Sequence, residues 1–173
     1  GNQSSYTPQT VNLGTGNTAL SVSTGGEHTC AILDDASLKC WGDNDYGQIG
    51  QGHTNNLGDG PDEMGDNLAP IDLGDDAAGN KRTAIQVSAG MYHTCVLLND
   101  NTVKCWGSNG YGQIGDGTTN DQATPRDVSG LSDTVTHISA GNDHTCALTT
   151  DGVVKCWGRN GQGRLGDGTS THQ

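Results

Sequence analysis

Histidine and cysteine, two residue types able to ligate metals or carry acid–base and redox chemistry, return together three times in this chain. The first copy reads His28-Thr29-Cys30, then Lys39-Cys40-Trp41-Gly42. The second reads His93-Thr94-Cys95, then Lys104-Cys105-Trp106-Gly107. The third reads His144-Thr145-Cys146, then Lys155-Cys156-Trp157-Gly158. All six cysteines and all three tryptophans fall within these copies. A zinc site would bring its cysteines about two to four residues apart with further ligands nearby. Here each pair is spaced Cys-x9-Cys, which suits opposed positions on a two-stranded hairpin. The sequence therefore predicts three disulfides, Cys30–Cys40, Cys95–Cys105 and Cys146–Cys156, and an oxidising compartment. Each bridge should add about 2–3 kcal/mol by restricting the unfolded chain. The three histidines sit at equivalent places in separate units, so they do not converge on one metal or one reaction. His28, His93 and His144 are expected to be hydrogen-bonded structural residues, with Trp41, Trp106 and Trp157 fixing each unit beside them.

The elements that hold these words repeat as well. Trp41 and Trp106 are 65 residues apart, and Trp106 and Trp157 are 51 apart. The surplus in the first unit lies between Gly52 and Ile71. A short alternating strand opens each unit: Leu20-Ser21-Val22, Ile85-Gln86-Val87 and Thr136-His137-Ile138. A glycine turns the chain at Gly25, Gly90 and Gly141, and a second strand carries His-Thr-Cys. Tight turns follow at Asp34-Asp35-Ala36, Asn99-Asp100-Asn101 and Thr150-Asp151-Gly152. Such a turn wants a left-handed residue last, a need that Gly152 and Asn101 meet. Ala36 predicts either strain of about 1 kcal/mol or a different turn. The third strand carries Lys-Cys-Trp-Gly. Asn44, Asn109 and Asn160 then begin a glycine-rich segment that ends at Gly50, Gly115 and Gly166. Val11-Asn12-Leu13-Gly14 matches Ile71-Asp72-Leu73-Gly74 and, more loosely, Arg126-Asp127-Val128-Ser129. Pro70 and Pro125 suit an edge strand.

Composition agrees with thin repeated units. Apolar residues make up 31%, phenylalanine is absent and there are 28 glycines, too little for one large core and enough for many turns. The net charge of −12 opposes binding to nucleic-acid phosphates and to anionic membranes. No apolar window is long enough for membrane insertion. There is no nucleophile elbow and no phosphate loop. Gly112-Gln113-Ile114-Gly115-Asp116-Gly117 opens no helix, which excludes a dinucleotide site.

Several other side chains are candidate sites. Lys39, Lys104 and Lys155 are expected to be solvated or edge-protecting. Asp43, Asp45, Asp59, Asp62, Glu63 and Asp66 form an acidic stretch; Asp59, Asp62, Glu63 and Asp66 are the candidates for calcium, although the spacing matches no EF-hand loop. A solvated acidic loop is the plainer reading, and no cofactor is expected. Asp116 and Asp167 are read as turn hydrogen-bonders. Tyr46, Tyr92 and Tyr111, beside the glycine-rich loops, are candidate interface anchors. Asn2-Gln3-Ser4 is a glycosylation sequon.

These words predict an all-β chain of propeller blades, each about four short antiparallel strands. The chain is one repeat array over 1–173: repeat 1 about 11–70, with a long acidic connection at 51–70, repeat 2 about 71–124 and repeat 3 about 125–173. His-Thr-Cys-Ala-Ile/Leu, Lys-Cys-Trp-Gly and Gly-Gln-Ile-Gly-Asp-Gly-Thr resemble the regulator of chromosome condensation repeat, in a disulfide-bearing form typical of bacterial secreted and surface proteins. The resemblance implies a β-propeller, commonly of about seven blades, whose repeated Gly, His and Trp are structural. Three repeats are too few to close a ring alone, so the array is partial unless it oligomerises or belongs to a longer chain. Open blade faces are templates for another chain. The expectation is a non-catalytic, secreted or cell-surface module that binds protein, itself included, as a ring or filament. Inhibition of a secreted enzyme is the alternative, and guanine-nucleotide exchange a more remote one.

Overall fold

The computed structural model describes residues 7–131 and 134–173; the sequon at Asn2 lies outside them. Three antiparallel sheets follow one another along the chain, with no α-helix among the described residues. The first contains β1 (Ala19–Thr24), β2 (His28–Leu33) and β3 (Leu38–Gly42). The second contains β4 (Ala84–Ala89), β5 (His93–Leu98), β6 (Val103–Gly107) and a fourth strand, β7 (Gln122–Asp127). The third contains β8 (Val135–Ala140), β9 (His144–Thr149) and β10 (Val154–Gly158). We call these sheets blades 1, 2 and 3. Adjacent strands pair in chain order, the simplest outcome for short strands joined by tight turns.

Registers repeat from blade to blade. Cys30 faces Cys40, Cys95 faces Cys105 and Cys146 faces Cys156. The paired Cα atoms are 4.1 Å apart in all three, and each pair is joined as a disulfide. The hairpin turns also match. Ala36 adopts φ 63°, Asn101 φ 62° and Gly152 φ 83°, so alanine takes the left-handed conformation rather than a different turn. Ile71 N donates to Leu38 O (2.8 Å) as Val128 N donates to Val103 O (3.0 Å). Ile71 is therefore the structural counterpart of Val128, two residues from the looser sequence match to Arg126.

The fourth strand exists as β7 in blade 2 alone among the described residues. Pro125 sits in it, on the edge of the sheet where a missing N–H costs no ladder bond. In blade 1 the acidic connection takes this place. Leu57 bridges Gly42, and a 3-10 turn follows at Gly65–Asn67.

The core lies between blades, in two separate layers. Cys30, Ile32, Leu38, Cys40 and Ile49 of blade 1 pack against Ala84, Val87, Val96, Leu98 and Trp106 of blade 2. Cys95, Leu97, Val103, Cys105 and Ile114 of blade 2 pack against Val135, Ile138, Ala147 and Trp157 of blade 3. Each sheet is thus apolar on both faces, and each layer forms only when a second blade is present.

Candidate protein-binding face

The repeated histidine acts across the layer rather than within its own blade. His28 Nε2 lies 2.7 Å from Thr94 Oγ1 of blade 2. Thr94 donates its own proton to the Gln48 carbonyl of blade 1 (2.8 Å), and Trp106 Nε1 donates to that same carbonyl (2.8 Å). With its hydroxyl proton so used, Thr94 accepts from His28, which fixes the tautomer that carries hydrogen on Nε2. The second layer repeats the arrangement. His93 Nε2 meets Thr145 Oγ1 (3.0 Å), while Thr145 and Trp157 both donate to the Gln113 carbonyl (3.0 and 2.9 Å). We term this four-group unit the clasp. Its histidine and carbonyl belong to one blade, its threonine and tryptophan to the next.

Burial holds the clasp histidines neutral. It pushes His28 down to about 4, against the opposing pull of Asp43. It pushes His93 down to about 4 as well, helped by His28 and His144 and opposed by Asp143. The Nδ1 atoms of His28, His93 and His144 are buried without a hydrogen-bond partner. The glycine before each ring is required for space. A Cβ on Gly25, Gly90 or Gly141 would lie 2.2–2.5 Å from the ring's Cε1.

The clasp depends on the glycine-rich loop that supplies its carbonyl. Buried Asn44, Asn109 and Asn160 organise that loop from inside. Their Oδ1 atoms accept from Ile49, Ile114 and Leu165 N at 2.9–3.0 Å. Their Nδ2 groups donate to carbonyls further along, at His53, Thr118 and Thr169. Recurrence alone marks these asparagines and the threonine of His-Thr-Cys in the sequence; nothing there shows that the threonine meets a histidine and a carbonyl of the preceding blade.

Blade 3 carries the first half of a clasp with no following blade among the described residues. Its His144 ring is only half-buried and is likewise lowered, mainly by burial and then by Arg164. Arg164 takes the carbonyl position of Gln48 and Gln113. Around them lie Cys146, Leu148, Cys156 and Leu165, all half-buried, and exposed Val154. Their counterparts in blades 1 and 2 are at most 4% exposed. On the other outer side, Leu20 and Val22 are 69% and 64% exposed, whereas Val87 and Ile138 at the position of Val22 are buried. Thr29 and Trp41, the second half of a clasp, are half-buried there. That side is partly covered, since Ala31 and Leu33 are buried.

The lysines depart from expectation. Lys39 and Lys104 are buried rather than solvated. Lys39 Nζ donates to the carbonyls of Leu13 and Gly65, both at 2.9 Å. Lys104 pairs with Asp127 on the adjacent strand at 3.0 Å. Apolar stems lie against the sheet while the ammonium finds oxygens at its rim. Lys155 is half-buried.

The acidic connection folds onto itself. Glu63 accepts from Gly58 N and Gly60 N, and Asp66 from the backbone and hydroxyl of Thr15. Those bonds hold both carboxyls below their ordinary range. Asp62 takes a left-handed φ of 62° and gives its carbonyl to Asn67. Among the described residues no three acidic, His or Cys side chains are grouped as metal ligands. Tyr46 and Tyr92 meet across the first layer with centroids 5.1 Å apart and rings tilted by 42°. Tyr111 meets His172 edge-on and lies under the Arg159 guanidinium.

Comparison with known proteins agrees with this architecture. The chain is 32% identical over 155 residues to a probable E3 ubiquitin-protein ligase, HERC4, of Homo sapiens, covering 89% of the chain and 14% of that protein. It is 31% identical over 172 residues to the ultraviolet-B receptor UVR8 of Arabidopsis thaliana, covering 99% of the chain and 36% of the receptor. The chain thus spans a minor part of these relatives. Yeast RCC1 (Prp20), solved bound to Kap60, superposes with a TM-score of 0.71 over 90% of the chain and 35% of Prp20, at 18% identity. Human WBSCR16 superposes equally well, TM-score 0.71, over 91% of this chain and 38% of its own, at 23% identity. These likenesses show the propeller fold. The model of the regulator of chromosome condensation (RCC1) repeat matches residues 38–97 and 100–148, and a second model of the same repeat matches 20–48, 84–113 and 135–164. The chain therefore belongs to the RCC1 repeat family, as a partial β-propeller of three blades.

Proposed function

We propose that this chain is a non-catalytic protein-interaction module of an oxidising, extracellular or cell-surface compartment, and that it assembles end to end through its outer blade faces. The observation that carries the reading is the clasp. It is complete at both internal layers, and its two halves recur at opposite ends of the array: His144 and the Arg164 carbonyl on one, Thr29 and Trp41 on the other. A head-to-tail contact between copies would bring them together. The three disulfides support the compartment, because such bonds persist where thiols are oxidised. Protein as the class of partner is supported by Prp20, whose structures name Kap60 as bound and describe binding to Gsp1p and histones.

Light scattering over a concentration series tests the assembly. The expected result is mass rising above 17.8 kDa with concentration, and rising further when salt screens the net charge of −12. A constant monomer mass at every concentration and salt would end the assembly reading. Thiol titration of the unreduced protein tests the compartment: no free thiols are expected, and six would refute it.

A further inference from the structure

The three blades repeat one arrangement along a single rim, with different side chains in it. The residue before each repeated histidine accepts a backbone bond from the residue after Trp-Gly. Asp43 N donates to Glu27 O at 2.9 Å, Ser108 N to Tyr92 O at 2.8 Å and Arg159 N to Asp143 O at 2.8 Å. The glycine-rich loops add Tyr46 and Tyr111 in matching places. Tyr46 N donates to Gln48 Oε1 at 3.0 Å, and Tyr111 N to Gln113 Oε1 at 2.9 Å. Each tyrosine ring reaches the rim pair of the following blade.

Between blades 2 and 3 this place holds a cation. The Arg159 guanidinium lies 4.9 Å from the Tyr111 ring centroid and pairs with Asp143 at 2.9 Å. An aromatic face and a carboxylate are the two surfaces that a planar guanidinium binds together.

Between blades 1 and 2 the same surfaces are present and the chain supplies no cation. Ser108 stands where Arg159 stands, and its hydroxyl turns away to accept from Gln113 Nε2 at 3.3 Å. Tyr92 stands where Asp143 stands, so two aromatic rings meet instead of one. The carboxylates come from blade 1, as exposed Glu27 and half-buried Asp43. Burial and then the charge of Glu27, joined by Tyr46, Asp43 and Asp143, hold the Tyr92 hydroxyl above its ordinary range, so these carboxylates act on the aromatic pair. Asp43 gives Oδ1 to Gln48 Nε2. Among the described residues the ion pairs go to Asp75, Asp100, Asp127 and Asp143, and neither Glu27 nor Asp43 has a cationic partner. Tyr46 is 40% exposed, which leaves the place open to solvent.

We infer that the rim between blades 1 and 2 receives an arginine side chain of a partner protein, its guanidinium against Tyr46 and Tyr92 and its N–H groups toward Glu27 and Asp43. Arg159 on Tyr111 and Asp143 is the chain's own version of that contact. The tyrosines supply rigid contact area, and the net charge of −12 draws a basic segment toward the rim. This inference rests on the reading of the chain as a protein-interaction module and names the chemistry of its partner. It does not depend on end-to-end assembly.

The test is an NMR titration of the isotope-labelled 173-residue chain with the end-blocked tripeptide Gly-Arg-Gly, and with Gly-Lys-Gly at equal charge. Expected are saturable shifts centred on the amides of Glu27, Tyr46 and Tyr92, with the arginine peptide bound more tightly. Tyr46→Ala, which leaves the net charge unchanged, should weaken binding about fivefold. Ser108→Arg should abolish it, because the new side chain fills the place as Arg159 does on Tyr111. Arg159→Ser should open a second site, read as new shifts at Tyr111 and Asp143. Circular dichroism confirms the same β content in each variant. Shifts spread over residues 59–66 and unchanged in Tyr46→Ala would show diffuse charge attraction and overturn the site. Equal binding of the lysine peptide would overturn the assignment to arginine. A chain that associates in light scattering yet ignores the tripeptide overturns this inference and leaves end-to-end assembly standing; tripeptide binding to a strictly monomeric chain supports the site and ends the assembly reading.

Discussion

Blades 2 and 3 carry nearly the same residues in nearly the same register, yet they live in different environments. Blade 2 is covered on both faces. Blade 3 is covered on one, and its other face exposes Val154 and half-exposes Cys146, Leu148, Cys156 and His144. The local fold survives the difference, since hairpin register, turn and disulfide geometry repeat in both. Hairpin shape is therefore set by short-range pairing and turn chemistry, while stability and pKa are set by the neighbour. In a repeat array the interface, rather than the blade, is the unit of energy.

The largest consequence concerns one leucine pair. Leu97 and Leu148 take the same place, opposite Gln86 and His137 respectively. Leu97 is 1% exposed inside the second layer, whereas Leu148 is half-buried on the open face. Leu97→Ala should cost about 2–5 kcal/mol, through lost transfer energy and a cavity that cannot collapse. Leu148→Ala should cost about 1 kcal/mol in the dilute monomer, as little apolar area is withdrawn from water there. Urea unfolding at low protein concentration measures both. Equal costs would mean that blade 3's outer face is covered in solution.

The histidines extend the comparison to pH. The folded protein holds His28 and His93 neutral down to about 4, whereas the unfolded chain protonates them near 6.5. Below that value the unfolded state binds more protons, so stability is complete above about 6.5 and is lost as pH falls toward 4. Each histidine contributes at most about 3 kcal/mol to that loss, by the free energy of one pKa unit. Stability measured between pH 7 and 4 should fall less steeply for His93→Gln than for the parent. His144→Gln, on the half-exposed ring, should alter the slope least. An unchanged slope in His93→Gln would show that His93 carries none of the acid sensitivity.

Disulfides offer a chemical version of the same test. Cys30–Cys40 and Cys95–Cys105 are fully buried in the two layers, whereas both sulfur-bearing residues of Cys146–Cys156 are half-buried. A reductant should open Cys146–Cys156 first under native conditions, since access limits attack on a disulfide sulfur. Its loss should cost about 2–3 kcal/mol. Alkylation followed by peptide mass mapping would give the order. Simultaneous opening of all three would contradict the difference in burial.

Much of the blade was legible because its signals are local. Cys-x9-Cys around a turn leaves one simple pairing, and alternation marks each strand. The clasp was not legible, because His28, Gln48, Thr94 and Trp106 meet from distant parts of the chain and the acceptor is a backbone carbonyl. A carbonyl leaves no trace in residue type. The burial of the lysines is hidden in the sequence for a related reason. Strand alternation correctly places Lys39 away from its flanking Leu38 and Cys40, but the oxygens waiting at Leu13 and Gly65 come from segments without regular structure.

The smallest effect compares the three hairpin turns. Ala36, Asn101 and Gly152 occupy one position with φ between 62° and 83°. The same backbone bond closes each turn, from the residue in question to Leu33, Leu98 or Thr149 O. Glycine meets no steric penalty there, asparagine is tolerated, and alanine brings its Cβ against the following carbonyl. Ala36→Gly should relieve about 1 kcal/mol of that strain, and part of the gain returns to the more flexible unfolded chain. The net expectation is a stabilisation of about 0.5 kcal/mol, read as a Tm increase of about 2 °C. Gly152→Ala should shift Tm the other way by a similar amount, because it installs the same Cβ in the same turn. Shifts of equal sign in the two variants would mean that backbone strain at this position does not govern the turn.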